Sequence, residues 1–171
     1  MKIRKCISAL LAIAFAITVF PAAVFAVGAT ETVTIDNGIG ITAETTDSDI
    51  AASWGEGVAT VTANSDGTYT VRLLKNIILR DGAVTPITFG NYSDGAEQPM
   101  MILDLNGCTV TGKTIIISNY GNLTITDSVG GGRVTYNNPS GYLVAVQNAG
   151  YNMIINSGEF ECIGAGSVSY S

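Results

Sequence analysis

The sequence predicts an all-β protein built as a parallel β-helix, and three observations lead to that prediction. Thr, Val and Ile alternate with small polar residues in short runs, which is typical of β-strands. Gly, Asn, Asp and Ser cluster between these runs and mark the bends of the chain. The runs and bends recur about every 20–30 residues, which is typical of a solenoid.

The first 26 residues have the composition of a secretory signal peptide. Three basic residues within the first five positions precede an apolar run over residues 6–20, and Pro21 and small residues up to Ala26 follow. This order predicts cleavage and a secreted, extracellular or cell-surface location in a bacterium. The alternative is an uncleaved membrane anchor, because residues 6–27 are nearly long enough to span a bilayer.

The charge of the chain excludes two classes of partner. The sequence has 8 basic and 14 acidic residues, and cleavage would remove three of the basic residues and none of the acidic ones. The remaining 145 residues would carry a net charge of −9 and are enough for one domain. An acidic chain of this kind disfavours binding to nucleic acid or anionic lipid.

The chain lacks the residues on which most catalytic and metal sites depend. It contains no His, and only Cys108 and Cys162 would remain after cleavage. A disulfide scaffold, a His-based general base and a typical zinc site are therefore excluded. The sequence predicts no catalytic residue, no metal site and no cofactor.

The mature chain divides into two predicted parts. Residues 27–70 are expected to form an N-terminal cap with a strand, a short helical turn and a hairpin. The segment "TTDSDIAASW" holds the helical turn, with Asp47 or Ser48 as its N-cap. Residues 58–73 form the hairpin around "NSDG". Residues 71–171 are expected to form the coils of the β-helix.

Four segments in this second part end in Asn or Asp, and we expect these residues to form a ladder of corners. Asn and Asp tolerate the backbone of a sharp bend, and stacked amides can bond along the solenoid axis. The dipeptide Asn106-Gly107 alone indicates a hairpin turn, but the repeat favours a corner. The four corner residues, separated by 30, 21 and 29 positions, are Asn76, Asn106, Asp127 and Asn156.

The last two repeats match one another at a shift of 29 residues. The segments "SNYGNLTITDS" and "QNAGYNMIINS" align Asn119 with Asn148. Three strands in such a repeat fit a parallel β-helix, in which stacked coils about 4.8 Å apart bury one apolar column. We therefore expect Leu105, Ile125 and Ile155 to lie one over another.

The quoted repeats resemble a known family. "VRLLKNIIL", "MILDLNGCTVTG", "NYGNLTITDSVGGGRVT" and "NMIINSGEFEC" are similar to repeats of secreted, pectin-lyase-like right-handed parallel β-helix proteins of Gram-positive, Clostridia-type bacteria. The resemblance covers roughly residues 70–163 and implies the right-handed fold, export and an adhesin-like role. It does not imply a particular activity.

The chain departs from this family at both ends of the repeat region. It lacks the alanine-rich helix often found before the first repeat, and it stops at "GAGSVSYS" without a visible cap, sorting signal or further coils. We therefore expect a truncated β-helix whose uncapped C-terminal coil favours self-association, since open strand edges and apolar side chains invite contact.

The acidic residues of the repeats are predicted to be solvated surface residues and not catalytic residues. The family's hydrolases carry an Asp-Asp pair and a Gly-His-Gly, and this chain has neither. Asp104 is predicted to point outward, and so are Glu159 and Glu161, which form a close pair with no basic residue beside them. Arg133 is expected to be a surface charge.

Tyrosine provides the remaining candidate site. Tyr rings provide rigid contact area, so outward Tyr residues on successive coils could contact a glycan. Tyr120 and Tyr151 are expected near the same corner of consecutive repeats. The alternative is that the rings merely shield the corners. The predicted glycan-contact residues are Tyr120, Tyr151, Tyr136 and Tyr142, from a wider set that includes Tyr92 and Tyr170.

The sequence thus favours a non-catalytic, exported module for adhesion or for contact with a polysaccharide, host glycan or cell-wall glycan. The first alternative is an N-terminal fragment of a polysaccharide lyase or hydrolase whose catalytic coils lie beyond residue 171. The second alternative is a structural stalk.

Overall fold

The fold was analysed in a computed structural model that describes residues 31–95, 97–141 and 144–164, so the predicted signal peptide lies outside the described residues. The described residues include one α-helix, α1 (Asp47–Trp54), and a 3-10 helix at Tyr92–Asp94. In chain order the strands are β1 (Thr32–Ile35), β2 (Gly40–Ile41), β3 (Ala59–Ala63), β4 (Tyr69–Leu73), β5 (Asn76–Leu79), β6 (Ile87–Phe89), β7 (Met100–Asp104), β8 (Thr109–Gly112), β9 (Ile117–Asn119), β10 (Asn122–Thr126), β11 (Arg133–Asn138), β12 (Val146–Asn148), β13 (Asn152–Ile155) and β14 (Glu159–Gly164).

The strands form three sheets. Sheet 1 has the order β1-β5-β8-β11-β14, sheet 2 the order β2-β6-β9-β12, and sheet 3 the order β3-β4-β7-β10-β13. Neighbouring strands pair in parallel, except that β3 and β4 are antiparallel. The chain visits sheets 1, 2 and 3 repeatedly in that order, and we call each pass a circuit. The structure therefore confirms a β-rich fold with parallel sheets.

The buried side chains of the three sheets form one apolar core. In sheet 3, Val71, Leu103, Ile125 and Ile155 occupy paired positions on successive strands. The first three of these side chains are at most 1% exposed. The expected stack of Leu105 over Ile125 is wrong, because Leu103 pairs with Ile125 and Leu105 is buried in the turn after β7. These buried side chains belong to the apolar core that the three sheets share.

The N-terminal segment contains the predicted hairpin and helix. Strands β3 and β4 pair around the "NSDG" turn, where Gly67 has a positive φ of 83°. The helix is capped by Thr46 and not by Asp47 or Ser48, because the Asp49 amide donates to the Thr46 hydroxyl and the Thr46 amide donates to the Asp49 carboxylate. Strands β1 and β2 pair with β5 and β6, so the parallel sheets begin before residue 71.

The Asn106-Gly107 dipeptide connects two sheets. Strand β7 before it belongs to sheet 3, strand β8 after it belongs to sheet 1, and these two strands do not pair. Asn106 has a φ of 50°, a left-handed conformation that Asn tolerates better than most residues. This dipeptide is thus a corner between sheets and not a hairpin turn.

Candidate functional site

Three turns on successive circuits meet where the chain passes from sheet 2 to sheet 3, and each carries one tyrosine. Tyr92 lies in the turn between β6 and β7, Tyr120 between β9 and β10, and Tyr151 between β12 and β13. Because the flanking strands pair in parallel, the three turns are neighbours in space. We call this region the tyrosine corner.

Glycine allows the turns of the tyrosine corner to approach closely. A β-carbon on Gly90 would lie 2.7 Å from the Gly121 backbone, and one on Gly150 would lie 2.5 Å from the Tyr120 carbonyl carbon. Gly90 also has a positive φ of 78°. A larger residue would therefore force the turns apart, and each of the three turns has a glycine where it approaches its neighbour.

A ladder of asparagine amides lies beside these turns. The Asn119 Nδ2 donates to the Asn148 Oδ1 at 2.8 Å, and the Asn152 Nδ2 donates to the Asn122 Oδ1 at 2.9 Å. Asn119 is fully buried, and its amide also binds both backbone groups of Gly121. The ladder fixes the turn that carries Tyr120 against the next turn, because each amide is both donor and acceptor.

The side chain of Gln98 holds the longest of the three turns in place. Its Oε1 accepts a hydrogen bond from the Asn91 amide at 2.9 Å, while its Nε2 donates to the carbonyls of Asn91 at 2.6 Å and Gly95 at 3.0 Å. Asn91 in turn caps the 3-10 helix by accepting from the Ser93 amide. Tyr92 therefore projects from a turn with a defined backbone.

The rings of Tyr92 and Tyr120 contact each other edge to face. Their centroids are 6.3 Å apart and their planes are inclined at 89°. Tyr92 is 72% exposed, Tyr120 is half-buried and Tyr151 is 45% exposed. The Tyr151 hydroxyl lies beside Gly95, 3.9 Å from where a β-carbon there would be. Two mutually supporting rings thus present aromatic surface to solvent, with a third beside them.

A groove of about 380 Å³ runs along the Tyr92 and Tyr120 rings, and Gly40, Thr42, Thr88, Gly90 and Asn91 complete its wall. A smaller depression next to it shares Thr42 and Gly90 and is lined by the carboxylates of Glu44 and Asp94. The Thr42 hydroxyl donates to Glu44 and lowers the pKa of that carboxyl, which keeps it ionised. The groove supplies aromatic surface with hydroxyl and amide groups, and the adjoining depression supplies the two carboxylates. Together they suit a ligand with apolar and hydroxyl-bearing faces.

Two of the predicted glycan-contact residues do not belong to this site. The prediction for Tyr136 is wrong, because its side chain is fully buried in the core. Tyr136 lies two residues after the inward Val134 on β11, and alternate residues of a strand face the same side. Tyr142 lies outside the described residues. Tyr92 is not among the predicted glycan-contact residues, because nothing in the local sequence shows that its turn lies against Tyr120.

The four predicted corner residues all lie between sheet 3 and sheet 1, on a different edge of the fold. The Asn106 Nδ2 donates to the Leu73 carbonyl at 2.8 Å, and the Asp127 carboxylate accepts from the Gly107 amide at 2.7 Å. Asn76 begins β5 and accepts from the Thr109 amide at 2.7 Å. Asn156 follows β13, and its backbone amide donates to the Ile125 carbonyl. These bonds join one circuit to the next.

Asp104 is at this same edge, and the prediction that it is solvated is wrong. Its side chain is only 2% exposed and accepts hydrogen bonds from Arg72, the Asn106 amide and both the amide and hydroxyl of Ser128. Burial raises the pKa of Asp104, but these hydrogen bonds together outweigh burial and hold the pKa below its ordinary value. Asp104 therefore joins three circuits as an ionised carboxylate.

The Glu159 and Glu161 pair also differs from its prediction. Arg133 on the neighbouring strand forms ion pairs with both carboxylates, so a basic residue does adjoin them. Within the described residues there is no group of three or more His, Cys, Asp and Glu side chains arranged to bind a metal ion. Glu159 and Glu161 therefore form a surface ion-pair network with Arg133.

Comparison with known proteins identifies no relative. No protein-family model, no curated protein and no solved structure matches the chain. Among the residues that the structure describes, no helix is long and apolar enough to cross a membrane.

Proposed function

We propose that this protein is an exported, non-catalytic module that contacts glycans at the tyrosine corner, in the extracellular space or at the cell surface. The observation that carries the proposal is that Tyr92 and Tyr120, from two successive circuits, contact each other along one groove, while Tyr151 from the next circuit lies near Gly95 in the Tyr92 turn. Rings held by a stacked backbone bind with little loss of conformational entropy, which favours weak ligands such as sugars.

The proposed scaffold is a right-handed parallel β-helix. The cyclic order of the three sheets and the parallel pairing of successive circuits support this proposal. Crossover connections between parallel strands are right-handed in nearly all proteins, which supports the handedness. Such a scaffold repeats one turn above another, and it would present a row of side chains to an extended polymer.

Export is supported by the composition of residues 1–26, and a non-catalytic role by the absence of His from the sequence. The other acidic clusters support the same role, because Asp104 and the Glu159–Glu161 pair are engaged in structural ion pairs. Contact with a polysaccharide, host glycan or cell-wall glycan is therefore the function we propose to test first.

A glycan array followed by titration tests this proposal. We expect Tyr92→Ala to weaken binding at least tenfold, because it removes the most exposed ring of the groove. Tyr92→Phe is the matched control and should retain most of the affinity, since it keeps the ring. A blank array with folded protein, or equal binding by the wild type and Tyr92→Ala, would exclude glycan contact at this corner.

A second proposal, self-association, rests on a different part of the molecule. Strands β12, β13 and β14 are edge strands at the same end of their three sheets. Between them lies an apolar concavity of about 510 Å³ whose lining includes Val144, Met153, Ile155 and Phe160. Among the described residues nothing covers this surface, and open strand edges with apolar side chains favour contact with a second copy.

A further inference from the structure

The charges of the protein are unevenly compensated. Each of the five basic residues in the described part of the chain forms an ion pair with a carboxylate. All 14 acidic residues of the sequence are described, and six of them take part in these ion pairs. The eight others, outside any ion pair in the described structure, are Glu44, Asp47, Asp49, Glu56, Asp66, Asp94, Glu97 and Asp127.

Three of these eight acidic residues lie in or beside the tyrosine corner. Glu44 and Asp94 line the depression that adjoins the groove, and Glu97 belongs to the same turn as Tyr92. Neither the groove nor the depression is lined by Lys or Arg. The basic residues are instead engaged with acids elsewhere, and the ion pairs of Arg72 and Arg133 lie on strands of sheets 3 and 1.

This charge distribution restricts the charge of the ligands that the groove can bind. A carboxylate on the ligand about 4 Å from Glu44 or Asp94 would be repelled by about 1 kcal/mol in water, and by more where the groove excludes solvent. A neutral sugar would meet no such penalty, and an amine on the sugar would be attracted. The hydrogen bond from Thr42 fixes one of the Glu44 oxygens and leaves the other able to accept from a ligand.

We propose that the tyrosine corner selects uncharged or amine-bearing glycans and rejects polyuronates and other anionic polysaccharides. This inference rests on the proposed glycan contact and adds the ligand class. It separates this protein from pectin-binding proteins, whose substrate is a polyuronate. The aromatic rings supply contact area for the pyranose face, and the neighbouring carboxylates supply the discrimination by charge.

Isothermal titration of the purified chain with a panel of hexasaccharides tests this selection. The panel contains neutral cello-, chito- and mannohexaose, the cationic glucosamine hexamer, and the anionic galacturonate and hyaluronan hexamers. We expect a neutral or amine-bearing hexamer to bind and both anionic hexamers to bind at least tenfold more weakly. Raising the salt concentration should weaken only the cationic hexamer, because salt screens attraction between charges.

The variant Glu44→Gln/Asp94→Asn tests the cause of the selection. It should raise the affinity for the anionic hexamers, relative to that for the neutral hexamers, roughly two- to fivefold for each carboxylate removed. Glu159→Gln/Glu161→Gln, which removes two carboxylates from sheet 1, is the control of equal charge change and should alter none of these affinities.

The outcomes separate the two proposals. If an anionic hexamer binds as tightly as the best neutral one, and Tyr92→Ala abolishes both, glycan contact stands and charge selection is overturned. If the double variant changes nothing while the wild type discriminates, the assignment to Glu44 and Asp94 is overturned. If no hexamer binds and the glycan array is blank, the proposed function itself fails.

Discussion

Asp104 shows how one residue contributes to the stability of three circuits. Its carboxylate accepts from Arg72 on one circuit and from the Ser128 amide and hydroxyl on another, and it also accepts from the Asn106 amide in its own turn. A buried carboxylate is costly unless it is fully hydrogen-bonded, and this one has four donors. The residue therefore stabilises the edge between sheets 3 and 1 only while it is ionised.

Asp104→Asn should lower the free energy of unfolding by about 2–3 kcal/mol at pH 7, because it leaves donors facing an amide in place of a carboxylate. The depressed pKa means that the stability from ionised Asp104 is fully present above the ordinary Asp value of about 3.9 and is lost as pH falls through the lower folded value. Denaturant unfolding between pH 7 and pH 2 measures both effects.

Asp81→Asn is the control, since Asp81 forms only an exposed ion pair with Lys113. Its loss of stability should stay below about 1 kcal/mol. Identical pH dependence of the wild type and Asp104→Asn would contradict this role of Asp104.

The position of Asp104 illustrates what could not be predicted from the sequence. Alternation along β7 correctly separates the inward Leu103 from Asp104. The residues that cover Asp104, Arg72 and Ser128, are 32 and 24 positions away in the chain. Their contact depends on the register between circuits, which local periodicity does not determine.

At the scale of the element, the turn between β9 and β10 depends on one buried amide. Asn119 has no exposed surface, and its side chain binds Gly121, Asn148 and Asn152. Its partner Asn148 is exposed. The two residues align in the sequence at a shift of 29, yet their contributions to stability should differ because their burial differs.

Asn119→Ala should lower the free energy of unfolding by about 2–4 kcal/mol, because it leaves the buried Gly121 amide without its acceptor and removes the bonds to Asn148 and Asn152. The matched variant Asn148→Ala should cost about 1 kcal/mol or less. Denaturant unfolding with circular dichroism distinguishes the two. Equal losses for the two variants would show that burial of this amide does not stabilise the turn.

Aligning the last two repeats at a single shift does not predict all of their strand pairing. Asn119 pairs with Asn148 at a shift of 29, but Ile125 pairs with Ile155 at a shift of 30. The additional residue lies in the turn that carries Tyr151. The strands, the hairpin and the short helix were predictable because each has a local pattern, whereas the insertion and the Thr46 cap depend on how neighbouring turns pack.

At the scale of the whole molecule, the two ends of the sheets differ. The helix α1 and the hairpin β3–β4 lie at the N-terminal end, where Ile50 and Trp54 are buried. At the other end β12, β13 and β14 are edge strands, and Val144, Ile154 and Ile155 are about half exposed. This asymmetry supports the proposed association through the end formed by β12, β13 and β14.

Sedimentation velocity over a range of concentrations measures this association. We expect the purified wild-type chain to form dimers with increasing concentration, and Val144→Asp to weaken dimerisation about tenfold because it introduces a charge into the apolar surface. Val84→Asp is the control, since Val84 is 85% exposed and does not line this concavity. A wild-type chain that remains monomeric at about 100 μM, which corresponds to an association free energy weaker than about −5.5 kcal/mol, would contradict self-association.

The tyrosine corner combines a predictable and an unpredictable part. Tyr120 and Tyr151 could be assigned to one corner because their repeats align, and both do lie there. The participation of Tyr92 depends on Gln98, which binds the 91–95 turn through three hydrogen bonds. The hydrogen bonds of Gln98 to this turn correspond to no periodic pattern in the sequence, so the position of Tyr92 could not be predicted.

Saturation-transfer NMR between the tyrosine rings and a neutral hexasaccharide that the chain binds detects glycan contact at the tyrosine corner. Irradiation of the aromatic protons should transfer magnetisation to the ring C–H protons of the sugar in the wild type, and Tyr92→Ala should remove most of that transfer. Transfer of equal strength in the wild type and in folded Tyr92→Ala would contradict glycan contact at the tyrosine corner.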